Sequence, residues 1–275
     1  MVISKQILLY DLCHGSICNG IKKRFIQTSG NYFTYQPMQQ VVSRDEWLTA
    51  RKALLQKEKE LTRAYDALSA ELRNLPIVKI DKEYKFHGPE GSVVTLDGLF
   101  DGMDQLIVYH FMFGPDAERG CNGCAFVGEH VPDLRHLRSR NTSMVVISRA
   151  PFAKLDAWKN KIGWTFPWYS SEGSDFNHDF HVTSDPAVGP VEYNFTSAVE
   201  LEAKGLKWHL DGEQSGLSVF FRKDGAVYHT YSTYARGVER LLGTYQLLDM
   251  TPLGRQDSPK GPAEFRLKYE YDEEV

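Results

Sequence analysis

Two apolar runs constrain this chain more than anything else in it. Residues 106–113 read Leu106-Ile107-Val108-Tyr109-His110-Phe111-Met112-Phe113 and end at Gly114-Pro115. Residues 143–148 form a second run, Ser143-Met144-Val145-Val146-Ile147-Ser148. Strands that are apolar on both faces belong in the middle of a sheet covered on both sides, as parallel strands joined by helices do. The stretch between them supplies such a helix. From Cys121 onward, Phe126, Val127, His130, Leu134 and Leu137 share one side, and Pro132 forces a kink or a break. A helix follows from Pro151 to Ile162, with proline in its first turn and Gly163 just past its end. An aromatic extended segment over 164–169 comes next. Residues 170–216 are turn-rich and only weakly helical near 198–204. Residues 217–221 and 226–231 then read as an antiparallel hairpin about Lys223-Asp224-Gly225, and a helix over 238–248 closes the order.

Upstream, Ser43 is followed three residues later by Glu46, a capping box, and neither glycine nor proline intervenes before Pro76. The helix so defined is about 45 Å long. Its residues Trp47, Leu54, Leu61, Leu68 and Leu75 fall seven apart, but the companion seam Ala50, Lys57, Ala64 and Glu71 is broken by charge. An amphipathic arm is the preferred reading, and a homodimer through this helix is the alternative. Residues 78–96 read as a β-hairpin turning at Gly88-Pro89-Glu90-Gly91. The expected organisation is a disordered leader over 1–40, the helical arm over 41–76, an α/β domain over 77–257 and a flexible acidic tail over 258–275.

Composition removes several classes of function. Of 275 residues, 42% are hydrophobic and 25% charged, which is globular rather than disordered. The formal charge of -4 provides no overall basic field for nucleic acid or an anionic membrane. No apolar stretch approaches the ~20 residues of a membrane span. Residues 1–40 lack the apolar core of a secretion signal, and an organelle transit peptide is the minor alternative to a cytoplasmic location. Four cysteines are too few for a secreted disulfide scaffold of this length and suit a reducing compartment.

Two of those cysteines carry the chemistry. Cys121-Asn122-Gly123-Cys124 stands where a buried strand hands over to a helix. There, backbone N–H groups favour the thiolate of the first cysteine, and thiolate is the attacking species in disulfide exchange. The second thiol can resolve the mixed disulfide, and Gly120 and Gly123 permit the tight turn. Cys121 is therefore the expected nucleophile and Cys124 the resolving thiol, with no cofactor or metal required. A structural zinc site needs two further ligands, and His130 and His136 start too soon after Cys124 for a finger-type spacing. Zinc and an unreactive pair stay open as lesser readings. Cys13 and Cys18 are read as bystanders.

Several strings resemble an uncharacterised thioredoxin-like family that carries a domain-of-unknown-function label. That family is related to the alkyl hydroperoxide reductase/thiol-specific antioxidant group. The strings are 43–47, 50–55 and 57–63 in the long helix, then 109–115, Gly120-Cys121 with Cys124, 148–151, 163–168, 174–177 and 229–237. The resemblance spans about 41–257. It implies an α/β, thioredoxin-like fold, a mixed central sheet flanked by helices with a long N-terminal helix. It makes thiol–disulfide oxidoreduction on an unknown thiol or disulfide substrate, with an unknown electron donor, the leading activity. A non-catalytic binding module is the alternative.

Departures from better-known relatives are visible. The peroxiredoxin pattern is absent, because Arg119 and Asn122 stand four and seven residues after Pro115. The tryptophan that precedes the thioredoxin motif is Gly120. Where thioredoxins place a cis-proline, counting back from Gly225 finds Leu217 or Ser218. The expected lining of the site is thus Gly120, Arg149, Ser218 and His229, with Arg149 either near the thiolate or paired with Asp156. Asp175, Asn177 and Asp179 are read as a turn rather than a cation site. His110 is read as a satisfied core residue.

Overall fold

The computed structural model describes residues 23–27, 33–37, 39–256 and 261–271. The chain divides into two compact units, residues 1–65 and 66–275. In the first, strands β1 (Lys23–Gln27) and β2 (Phe33–Pro37) pair antiparallel. They lie within the stretch expected to be a disordered leader, and for these ten residues the structure replaces that expectation with a hairpin. Cys13 and Cys18 lie outside the described residues. Helix α1 (Arg44–Arg73) begins where the capping box predicts: the Ser43 N–H donates to Glu46 at 2.9 Å and the Glu46 N–H to the Ser43 hydroxyl at 3.3 Å. None of its residues is buried.

The second unit is built on one eight-stranded sheet. Its strands are β3 (Val78–Lys79), β4 (Lys85–His87), β5 (Val93–Thr95), β6 (Gln105–His110), β7 (Thr142–Ser148), β8 (Trp168–Ser170), β13 (Gly216–Lys223) and β14 (Ala226–Tyr234). The order across the sheet is β3-β14-β13-β6-β7-β8-β4-β5. The two apolar runs are the parallel pair β6 and β7, and β8 continues parallel to β7. Strand β13 runs antiparallel to both β6 and β14. The central order β14-β13-β6-β7 makes this a thioredoxin-like α/β fold. The turn between β13 and β14 holds Asp224 at φ 52° and Gly225 at φ 75°, two successive left-handed residues that match the twist of a tight hairpin.

Both sheet faces are covered. On one, helices α2 (Asn122–Gly128), α4 (Phe152–Ile162) and α7 (Gly243–Leu248) enclose Phe111, Phe126, Trp158, Trp164 and Tyr245. On the other, Phe86, Val108, Phe176, Phe180 and Phe220 form a second core that includes the short helix α5 (Phe176–Asp179). Pro132 breaks the helical run, so α2 stops at Gly128. A new helix, α3 (Leu134–Arg138), starts from Asp133, whose carboxylate accepts the Arg135 N–H at 3.0 Å. The closing helix divides too, a 3-10 segment at Ala235–Leu241 preceding α7 because Leu242 leaves the helical region at ψ 83°. Val78–Lys79 does not join the β4–β5 hairpin but pairs with β14 at the opposite edge. Among the described residues no helix is long and apolar enough to cross a membrane.

Residues 182–216 form a clasp. Strands β9 (Thr183–Ser184) and β12 (Gly212–Glu213) pair at its base. Between them lie the small hairpin β10 (Glu192–Tyr193) with β11 (Thr196–Ser197), and helix α6 (Ala198–Ala203), capped by a Ser197–Glu200 box. Asp175, Asn177 and Asp179 serve as structure: Lys82 joins both aspartates, at 2.8 and 2.6 Å, and the Asn177 side chain accepts from Ser171.

The expectation of a flexible tail does not hold for residues 261–271. Phe265 stacks on Phe126 with ring centroids 3.9 Å apart, and Leu267 is 1% exposed in the core beneath α2. Lys268 and Glu270 add ion pairs to Glu129 and Arg119. The acidic composition hid three apolar anchors, Phe265, Leu267 and Tyr269. Leu267→Ala is expected to lower unfolding free energy by about 2–5 kcal/mol, as leucine truncation in a packed core does. A urea midpoint unchanged from the parent protein would contradict this packing.

Candidate active site

Strand β6 ends at His110, and the chain continues extended through Met112. The two peptide groups of Met112 then hold both cysteines: its carbonyl accepts the Cys121 N–H at 3.1 Å, and its N–H donates to the Cys124 sulfur at 3.4 Å. The loop between is held from α4, where the Lys154 ammonium donates to the carbonyls of Pro115 and Ala117 at 2.7 and 2.9 Å. Gly120 is buried under the aromatic cluster. A Cβ there would meet Phe111 and Trp158 at 2.7 Å, closer than rings packed on both sides can allow. Its role is therefore to let the chain pass beneath those rings directly before Cys121.

Cys121 is the N-cap of α2 with φ -63° and ψ 132°, and its carbonyl accepts the Ala125 N–H at 2.9 Å. Both thiols are reduced, Cys121 partly exposed and Cys124 buried. Their environments push them in opposite directions. The Cys121 pKa falls to about 6, chiefly because the Cys124 S–H donates to its sulfur, with the N–H groups of Cys124 and Gly123 adding to the effect and burial opposing it. Burial pushes Cys124 up, and serving as donor to Cys121 pushes it further. At neutral pH Cys121 is thiolate and Cys124 thiol. The Tyr109 hydroxyl is fully enclosed near Cys124, and burial pushes it well above the ordinary phenol value.

Both cysteines line a cavity of about 1090 Å³. Tyr109, Met112 and Val127 continue the wall around them, and the clasp contributes Tyr193, Leu206, Trp208 and Ser215. Ser215, immediately before β13, lines the same cavity, and its carbonyl accepts the Tyr193 hydroxyl at 2.9 Å. The third wall is Val238, Leu242 and a charged group, in which Arg255 pairs with Glu239 at 2.9 Å and Asp249 at 2.7 Å while Arg236 pairs with Glu239 at 3.0 Å. Residues 261–263 pass over Gly123, where a Cβ would stand 3.4 Å from the Ala263 nitrogen.

The other residues expected at the site stand elsewhere. Ser218 and His229 belong to the opposite face of the sheet. Ser218 Oγ lies 2.8 Å from His110 Nε2 and 2.8 Å from Ser232 Oγ, and His229 Nε2 lies 2.8 Å from Ser232 Oγ. Arg149 pairs with Glu213 at 2.9 Å rather than with Asp156, and Glu213 also accepts from Thr183 at 2.8 Å, so Arg149 ties the clasp to the end of β7. His130 bonds the Phe126 carbonyl and Thr244. Among the described residues no three His, Cys, Asp or Glu side chains are grouped to hold a metal ion. Sequence reasoning missed Tyr109, Tyr193, Ser215, Trp208, Glu239 and Arg255. The one local signal was a tyrosine within an otherwise apolar strand, because a buried phenol needs a polar neighbour.

Fold and site together define a thioredoxin-like α/β protein with a Cys-x-x-Cys pair, one thiolate and one thiol, at a cavity wall. The chain belongs to the family described as bacterial protein of unknown function (DUF899), whose model matches residues 36–271. No curated protein matches the chain. Among solved structures it is similar to a mutant of Xylella fastidiosa PrxQ (14% identity, TM-score 0.39, covering 63% of this chain and 96% of that one). It is also similar to the Xanthomonas campestris bacterioferritin comigratory protein (13%, TM-score 0.37, covering 61% and 95%) and to peroxidoxin BcpB of Mycobacterium tuberculosis (14%, TM-score 0.35, covering 63% and 96%).

Two titrations follow from these environments. Alkylation of Cys121 by iodoacetamide should rise with pH about a midpoint near 6. Cys124→Ala should move that midpoint upward by removing the S–H donor, and Cys124→Ser, which keeps a donor, should move it less. A parent midpoint between 8 and 9, the range of a free thiol, would contradict the geometry. His110 is fully buried, and burial first, then His229, hold its pKa down at about 3. The unfolded chain binds that proton below the ordinary imidazole value of about 6.5, while the folded chain resists it until near 3, so stability is lost as pH falls through this window. The urea midpoint should drop between pH 7 and 5, and His110→Gln should flatten the drop. An equal drop in both proteins would remove His110 as its source.

Proposed function

We propose that the protein is a thiol–disulfide oxidoreductase in which Cys121 is the nucleophile and Cys124 the resolving thiol. The observation that carries this reading is the opposed state of the two sulfurs at one cavity wall. Cys121 is lowered to about 6 and reachable, and Cys124 is raised and buried directly behind it. An unreactive structural pair requires no such asymmetry, and a zinc site requires ligands that the described residues do not group here.

The Cys121 thiolate attacks one sulfur of a disulfide R–S–S–R, a Cys121–S–S–R bond forms, and R–S⁻ leaves to take a proton from solvent. Cys121 then no longer carries the charge that raised Cys124. The Cys124 thiol gives up its proton and attacks the Cys121 sulfur, and the second R–S⁻ leaves. Two electrons pass from the protein to the substrate, and the protein is left with a Cys121–Cys124 disulfide. An external dithiol returns it to the reduced form by the reverse exchange.

Reduced protein treated with a disulfide should form the Cys121–Cys124 bond, identified by mass mapping of alkylated peptides. Cys124→Ser should stall as a mixed disulfide on Cys121. Cys121→Ser should lower the exchange rate by at least about a hundredfold, the scale lost with an activated nucleophile. If Cys121→Ser exchanges as fast as the parent protein, or mapping places the new disulfide elsewhere, the reading fails.

A further inference from the structure

The cavity around the cysteines restricts what can reach them. We propose that its substrate is a small, uncharged disulfide with an aromatic or aliphatic body, rather than a folded protein or an anionic disulfide. This rests on the thiol–disulfide reading above.

Three observations carry it. The first is enclosure. The clasp, the segment around Ala235–Leu241 and residues 261–263 line the same concavity as Cys121, so the sulfur lies in its wall. At about 1090 Å³ that concavity is at the upper end of small-molecule sites, which run to roughly 1,000 Å³. A disulfide held in a folded partner has to protrude into that concavity to meet it.

The second is the chemistry of the lining. Met112, Val127, Leu206, Val238 and Leu242 make the cavity wall apolar. Tyr193, itself buried, stacks on His209 with centroids 4.2 Å apart and closes part of the wall as an aromatic pair. Trp208 stands at the rim 65% exposed, an exposure that core packing does not explain and that contact with an apolar ligand does.

The third is charge. Arg236 and Arg255 are the two arginines of the wall, and both are held by carboxylates, Arg255 by Glu239 and Asp249 and Arg236 by Glu239. The two cations and two carboxylates cancel. To gain Arg255, which is 20% exposed between two carboxylates, an anionic ligand would have to displace one of them, which costs charge-assisted hydrogen bonds already made, while Arg236, 85% exposed, is a screened surface charge.

The experiment uses the full reduced protein and three oxidants: 4,4'-dipyridyl disulfide, oxidised glutathione and insulin. Each rate constant is normalised to that oxidant's rate with a free small thiol, which removes intrinsic reactivity. The expected result is saturable kinetics with the dipyridyl compound and a normalised efficiency at least about a hundredfold above the other two, the size of discrimination a shaped pocket supplies. Trp208→Ala, at an exposed rim position, should raise its KM by about tenfold, one lost apolar contact's worth. Iodoacetamide alkylation of Cys121 should not change in that variant. Glu239→Gln should free arginine charge and raise the glutathione efficiency selectively. Equal normalised rates for all three oxidants, with the Cys121–Cys124 disulfide forming in each, overturn the substrate class and leave the thiol reading standing. Failure of that disulfide to form with any oxidant overturns both. If Trp208→Ala slows iodoacetamide as much as the dipyridyl compound, the wall acts on the thiol and not on the ligand, and the proposal fails.

Discussion

The backbone of Met112 carries the site. One peptide carbonyl receives the Cys121 N–H, and the neighbouring N–H points at the Cys124 sulfur. Because Met112 continues a strand locked between β7 and β13, the two cysteines are fixed to the rigid centre of the sheet rather than to a loop. The same hold pulls Cys124 into the core, and burial of a thiol disfavours its charge. A thiol kept protonated is a donor, and its nearest acceptor is Cys121. The lowered pKa of one cysteine is thus a consequence of the burial of the other. No cationic side chain is needed to produce it, and Arg149, read as either near the thiolate or paired with Asp156, instead pairs with Glu213.

This explains which parts of the site were legible in the sequence. The apolar runs of β6 and β7 require a parallel pair, and a parallel pair requires a crossover helix. Cys121 had therefore to fall where strand hands over to helix. Gly120 was read as permitting a tight turn, but its place is set by the rings of Phe111 and Trp158, which lie against it. The capping box of α1 and the left-handed pair Asp224-Gly225 were equally readable, because each is a short-range device whose partners are neighbours in sequence.

Ser218 shows where such reasoning stops. Side chains alternate along a strand, so an error of one residue in register exchanges the two faces. Counting back from Gly225 placed the approach to the site at Leu217 or Ser218, but β13 begins at Gly216 and the residue that lines the cysteine cavity is Ser215. Ser218 points to the other core, where it joins His110, Ser232 and His229 in a buried polar chain. No spacing rule distinguishes these faces when both are apolar. The doubly covered sheet that made the fold readable is what made the lining unreadable.

The remaining walls come from segments whose sequences carry little periodicity. Residues 182–216 form strands of two residues each, too short for an alternation pattern, and they are held in place by long-range links such as Glu213 to Arg149. Residues 261–271 alternate charged residues of both signs and begin with glycine and proline, yet Phe265 and Leu267 anchor them on α2. A bare thioredoxin-like sheet presents its cysteines on an open edge, where any exposed disulfide can reach them. Here two aperiodic segments close around that edge, and their apolar anchors serve packing and enclosure together. On the proposed thiol–disulfide reading, selectivity resides in the parts of the chain that the fold does not require, which is where a site can change its substrate without disturbing the hold of Met112 on the two cysteines.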